Sequence, residues 1–221
     1  MIEDSSPTIL AILSVTIGLG LVTFLVVTTT SFIKVSVVLF IVRNAIGIQQ
    51  TPPNIVLYAI ALTLTAFISA PVVQGVIDQV LALDSNFDTL DDWIAAFEQA
   101  QGPIKAFLMD FTNEAERAFF LDATTQVWPE DRASQAQTTD LAVLMPSFLI
   151  TELKRAFEIG FLLYLPFVVI DLIVTTILMA MGMSMVTPTI ISTPCKLFLF
   201  VAVDGWSLLL HGLLLTYTPG L

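Results

Sequence analysis

Uncharged, mostly apolar residues run from Thr8 to Ile33. That is long enough for a spanning helix, since a hydrocarbon layer about 30 Å thick takes about 20 residues rising about 1.5 Å each. A second such block runs from Pro52 to Ile77, with Thr51 placed to cap it and the Pro52–Pro53 pair suited to a first helical turn. A third, Ile159 to Thr187, carries a single charge, Asp171, and a fourth, Thr189 to Tyr217, carries Lys196, Asp204 and His211. The pattern predicts four long apolar helices. Between the second and third blocks, in DDWIAAFEQAQGPIKAFLMDF, Trp93, Ile94, Phe97, Ile104, Phe107, Leu108 and Phe111 recur at three- and four-residue spacings, which predicts two or three amphipathic helices. The apolar stretch LAVLMPSFLI, Leu141 to Ile150, is too short to span and leads directly into TELKRAFEIGF, read as a charged helix set against the third block. On that helix Glu152 and Arg155 are three apart and Lys154 and Glu158 four apart, so each pair can meet on the surface for a few tenths of a kcal/mol.

Composition agrees with the pattern. Hydrophobic residues make up 56% of the 221 and charged residues 12%, against about 45–50% and about 25% in soluble domains. The expected class is an all-α membrane protein in three regions: 1–77, two hydrophobic helices with a basic linker over 34–51; 78–140, an acidic and mostly helical segment; and 141–221, a hydrophobic helical hairpin. Charge is unevenly placed. From Asp78 to Asp140 thirteen acids face Lys105, Arg117 and Arg132, leaving the rest of the chain close to neutral within a total of −11. With no basic patch to replace phosphate counterions, a nucleic-acid partner is excluded. Cys195 and His211 each occur once, so neither an intramolecular disulfide nor a cysteine-built metal cluster is available, and packing is the expected role of both. The chain opens on acids, Glu3 and Asp4, without the basic region of a cleaved signal peptide, so its first apolar stretch is expected to be retained.

The linker between the first two blocks carries Lys34 and Arg43 and no acid, which by the positive-inside rule faces it to the cytoplasm. The acidic middle then lies across the membrane and the turn before Lys196 returns to the cytoplasmic side; Lys154 and Arg155 run against the rule. Lys34 and Arg43 fit anionic lipid headgroups or acids of a partner equally well. A charge inside a long apolar helix costs at least about 2.5–3.5 kcal/mol unless it is paired or reaches water, so Lys196 is expected to pair with Asp171 or Asp204, within a chain or between neighbours, with proton relay as the competing role. Met179, Met181, Met183 and Met185 alternate. At about 100° per residue a helix cannot put all four on one face, so with Gly182 among them and Pro188 beyond, they predict a turn between the last two blocks.

Three stretches carry a resemblance to a known family: Thr30 to Val73, Phe148 to Met185, and Thr187 to Leu213. Within them the runs RNAIGIQQTPPN, ELKRAFEIGF, LPFVVIDL and VDGW place polar residues in apolar surroundings at set spacings. In these runs the chain resembles the SctR/FliP family of type III secretion and flagellar export components, and FFLDATTQVWP is more similar to the injectisome branch. The run MGMSM is less dense in methionine than the family's, Ser184 and Thr187 make it more polar, and Cys195 stands where an aromatic residue is usual.

The resemblance implies a multi-pass subunit of the bacterial inner membrane at the base of the secretion apparatus. It assembles in about five copies, a pentamer, with SctS/FliQ-like and SctT/FliR-like subunits, alongside SctU/FlhB-like and SctV/FlhA-like export components, and conducts secreted polypeptides. In that family much of the apolar surface is buried against other subunits, and the pore gasket falls on Met181, Met183 and Met185. Methionine is unbranched and adaptable, which suits a ring that seals and then yields. No cofactor is implied. An intramembrane aspartyl protease needs two carboxylates sharing a proton, but neither Asp171 nor Asp204 lies in a glycine-flanked motif of that kind, and no phosphate-cradling loop appears. A secondary transporter predicts an internal repeat, and the two halves show none.

Overall fold

A computed structural model describes residues 6–48, 50–83, 89–183 and 185–218. Glu3, Asp4, Asp84, Asp88 and Ser184 lie outside the described residues. All the regular structure described is helical: α1 (Ser6–Thr29), α2 (Phe32–Ile46), α3 (Asn54–Leu81), α4 (Leu90–Phe111), α5 (Glu114–Val127), α6 (Glu130–Ala133), α7 (Leu141–Ala180), α8 (Thr189–Ala202) and α9 (Gly205–Leu215). Two of these, α3 and α7, are long and apolar enough to cross a membrane, and up to four spans result if the bent pairs α1/α2 and α8/α9 each count as one.

The largest departure from expectation is the basic linker. Over residues 34–46 this linker is helical, part of α2, which buries Val35, Val38, Leu39, Val42 and Ile46 along with both cations, Lys34 and Arg43. The reason lies in SVVLFIV between the two charges: apolar on every turn, it is covered on one side by α3 and on the other by α7. Gly160 of α7 makes the approach close, since a Cβ there would stand 2.5 Å from Ile41 Cδ1. Small residues at such crossings let helix backbones come together where lipid offers no hydrophobic drive.

The first block also breaks. The Thr28, Thr29 and Thr30 hydroxyls donate back to the carbonyls of Phe24, Leu25 and Val26, a bonding habit that loosens a helix, and the chain turns by 70° into α2. Thr51 does not cap α3. Pro53 precedes the helix with an extended ψ of 153° and no side-chain cap, so the proline pair lies before the first turn instead of within it.

The short apolar stretch, the charged helix and the third block are one helix. α7 is 40 residues long, about 60 Å at 1.5 Å per residue, and passes Pro146 and Pro166 without ending. Its charges are tolerated in mid-helix because other elements supply their partners. The fourth block instead divides at Asp204, which takes a left-handed conformation (φ 51°, ψ 48°) and turns α9 62° away from α8. The acidic segment forms two long helices and one short one. Thr89 starts α4 with a reciprocal capping box to Asp92, and Gly102–Pro103 falls inside α4.

Two apolar cores follow. One gathers α2, α3, α7, α8 and α9 around Leu39, Leu57, Ala156, Phe167 and Leu213; the other joins α4 to the first half of α7 through Leu108, Phe111, Leu144 and Phe148. The acidic helices thus pack at one end of the long helices, where the Asn113 amide donates to Thr151 Oγ1 and the Ser147 hydroxyl to the Glu116 carbonyl. At the opposite end of α2, Gly47 closes on Thr193 near the start of α8.

Candidate functional site: a methionine turn over paired buried charges

Helix α7 stops at Ala180 because the next residues are built to stop it. Gly182 is left-handed (φ 72°), its amide donates to the Met179 carbonyl at 3.0 Å, and the Met183 amide donates to Leu178 at 3.0 Å. This pair of bonds satisfies carbonyls that a helix end leaves unpaired, and glycine meets the positive φ without a Cβ penalty. The chain then reaches Pro188 and enters α8. The alternating methionines therefore occupy a turn and the helix end before it, and their side chains are bare: Met185 is 98% exposed, Met179 66%, Met181 59% and Met183 42%.

Behind this turn, Lys196 of α8 reaches across to α7 and α2. Its Nζ lies 2.6 Å from Asp171 Oδ2 and donates to the Ala45 carbonyl at 3.1 Å. Of the two partners expected for Lys196, the fold brings it Asp171; Asp204 sits exposed in the α8–α9 bend. Arg43 is held at the same end by the Pro52 carbonyl (3.3 Å) and the Asn54 side chain, with its guanidinium 4.9 Å from the Phe40 ring centroid. Its contacts are thus with the polar and aromatic groups of α2 and the α2–α3 connection.

The second charge cluster lies at the acidic end. Lys34 Nζ and Glu152 Oε2 are 3.2 Å apart, with neither side chain exposed. Arg155 Nη1 lies 3.5 Å from Glu152 Oε1 and donates to the Phe111 carbonyl at 3.0 Å. The Tyr217 hydroxyl donates to the same carboxylate, and the Lys34 ammonium stands 3.6 Å over the Tyr217 ring. Lys34 is thus a core residue, and lipid headgroups do not reach it. Glu152 and Arg155 pair as their spacing suggested, but Lys154 reaches Glu116 of α5 instead of Glu158, which is exposed.

Tyr217 and Glu116 carried no signal in the sequence. Nothing in the local run TYTPG marks a buried tyrosine, and its partner stands 65 positions away. Among the described residues no cluster of His, Cys, Asp or Glu able to hold a metal ion is found. Each buried ammonium instead meets a carboxylate, an arrangement that fixes how α2, α7, α8 and the chain beyond α9 sit against one another.

The FliP family model matches residues 15–213. The chain is similar to a probable translocation protein, y4yL, of Sinorhizobium fredii, with 61% identity over 98% of both chains. It is similar to Yop proteins translocation protein R of Yersinia pestis, with 43% identity over 90% of this chain and 92% of that one. Similarity extends to the flagellar biosynthetic protein FliP of Caulobacter vibrioides, at 44% identity over 91% of this chain and 74% of that one. The family match spans Lys34, Glu152, Arg155, Asp171, Lys196 and the methionine turn, and the chain belongs to the FliP family, as a membrane component of the type III export apparatus and not an enzyme.

Proposed function

We propose that this chain is the pore-forming subunit of a type III export gate and conducts unfolded secreted proteins across the bacterial inner membrane. The observation that carries the reading is the methionine turn: four adaptable apolar side chains, among them a Met185 that is 98% exposed, stand at the end of a rigid helix with none of the chain's own core over them. In a ring of about five copies these turns meet on the axis, and Met181, Met183 and Met185 form the gasket. The paired charges hold each turn in register, since Asp171 lies nine residues before the end of α7 and Lys196 seven into α8.

Support also comes from the surface left bare. Leu19 on α1, Ile55 and Phe67 on α3, Leu162 on α7, and Trp93 and Phe97 on α4 are all more than half exposed, an area of apolar surface expected to be covered by lipid or protein. SctS/FliQ-like and SctT/FliR-like subunits complete the gate, and SctU/FlhB-like and SctV/FlhA-like components adjoin it. The α2–α3 connection and the methionine turn face the cytoplasm, and the acidic helices lie on the far side.

The mass and subunit content of the gently extracted protein, expressed with and without its operon neighbours, tests this. A large complex of several identical copies with smaller hydrophobic partners is expected. A stable monomer or dimer that alone moves a small solute in liposomes would replace the export gate with a transporter.

A further inference from the structure

Helix α9 is held at its two ends and borders an open apolar cleft between them, with Leu209 and Leu213 turned into the first core. At its start Asp204 occupies the left-handed region (φ 51°, ψ 48°), and Gly205 packs so tightly on Phe200 that a Cβ would come within 2.4 Å of the ring. Just past its end, the buried Tyr217 donates its hydroxyl to Glu152 and tucks its ring against Phe107 and Phe111 of α4. Between these points an open apolar cleft of about 540 Å³ runs beside α9, lined by Ile159, Leu163 and Phe167 of α7 and by Leu208, Leu209 and Gly212 of α9. A Cβ on Gly212 would meet nothing within 4 Å, and Leu208, though it faces the cleft, stays 68% exposed.

We propose that α9 is a hinged strap: it pivots at Asp204–Gly205, is fastened by the Tyr217 hydroxyl on Glu152, and swings relative to α7 as one body when that bond opens. A helix moving as a unit keeps its own backbone hydrogen bonds, so among the described residues the fastening at Tyr217 is the side-chain hydrogen bond the motion must break. The cleft beside Leu208 and Gly212 leaves that face of α9 unpacked, so the apolar contacts the movement must open are those of Leu209 and Leu213 with the first core. Aspartate is among the residues that enter the left-handed region most readily, which suits a pivot whose neighbour can carry no side chain. Because the carboxylate that takes Tyr217 also holds Lys34 and Arg155, the strap's position is coupled to α2 and α4. This inference stands apart from the conduit reading, as it needs no pore and no ring.

Spin-label distances test it in the full chain within its complex, with Cys195→Ser removing the exposed native thiol and unlabelled chain added to dilute copies. One pair joins positions 215 and 161, which are 57% and 63% exposed, and reports the fastened end; a second joins 203 and 161 and reports the hinge. The expected result is one main 215–161 distance with a minor population under about 10%, raised several-fold by Tyr217→Phe, while the 203–161 distance is unchanged. An unaltered 215–161 distribution in Tyr217→Phe, or equal broadening of both pairs, would overturn the strap. Should that variant not assemble, Gly212→Phe fills the cleft and is expected to shift the 215–161 distance; an unshifted distance would equally end the proposal.

Discussion

A lysine with no exposed surface persists at position 34 because Glu152 stands 3.2 Å away and the Tyr217 ring lies beneath its ammonium at 3.6 Å. Taking two charges out of water costs several kcal/mol each, and removing one partner strands the other. Lys34→Met is therefore expected to destabilise the assembled protein by about 3–5 kcal/mol, read as a lowered melting temperature of the extracted complex, and the double variant Lys34→Met/Glu152→Leu is expected to lose less than Lys34→Met alone. Equal or greater loss in the double variant would show that the pair is not what holds the site. Lys154, whose side chain is 64% exposed, makes the contrasting case: Lys154→Ala is expected to cost less than about 1 kcal/mol. At this scale the sequence identified Lys196 and Asp171 as charges that need partners but not Lys34 and Glu152, which it read as facing lipid, a partner or solvent. It was silent on the choice of Glu152 for Lys34, which lies 118 positions away and depends on how α2 seats against α7.

Among the elements, hydropathy located the apolar mass but not the helix ends. A charge-bounded window divided α7 in three, because Glu152 and Lys154, with Arg155 and Glu158 beside them, look like a surface when the partners on α2 and α5 are unseen. The same window ran through Thr30 and Asp204, where a run of hydroxyls and a left-handed aspartate break the helix within segments that stay apolar on average. The acidic helices were legible, since their apolar spacing and the Thr89–Asp92 cap are local signals. The α2–α7 crossing gives a prediction at this scale. Gly160→Val pushes a side chain into Ile41, whose Cδ1 would lie 2.5 Å from the new Cβ, and overpacking of this kind costs about 1–3 kcal/mol. The expected result is a lowered yield of folded complex, partly restored by adding Ile41→Ala; no restoration would place the fault outside this crossing.

For the whole molecule, family and class were legible because motifs such as RNAIGIQQTPPN and ELKRAFEIGF are read without a fold. Which residues gather at each end emerges only when the helices are assembled. The acidic helices gather where Lys34 meets Glu152, and the methionine turn projects at the other end beyond Lys196 and Asp171. On this account the turn is where a ring of copies closes, and the buried pairs set its height.

The most direct measurement is the small-ion conductance of cells carrying the assembled gate with Met183 and Met185 both replaced by alanine, with complex mass checked in parallel. Shortened side chains on an axial gasket predict a raised leak with assembly intact. Unchanged conductance at normal assembly would contradict the account and move the seal elsewhere in the complex.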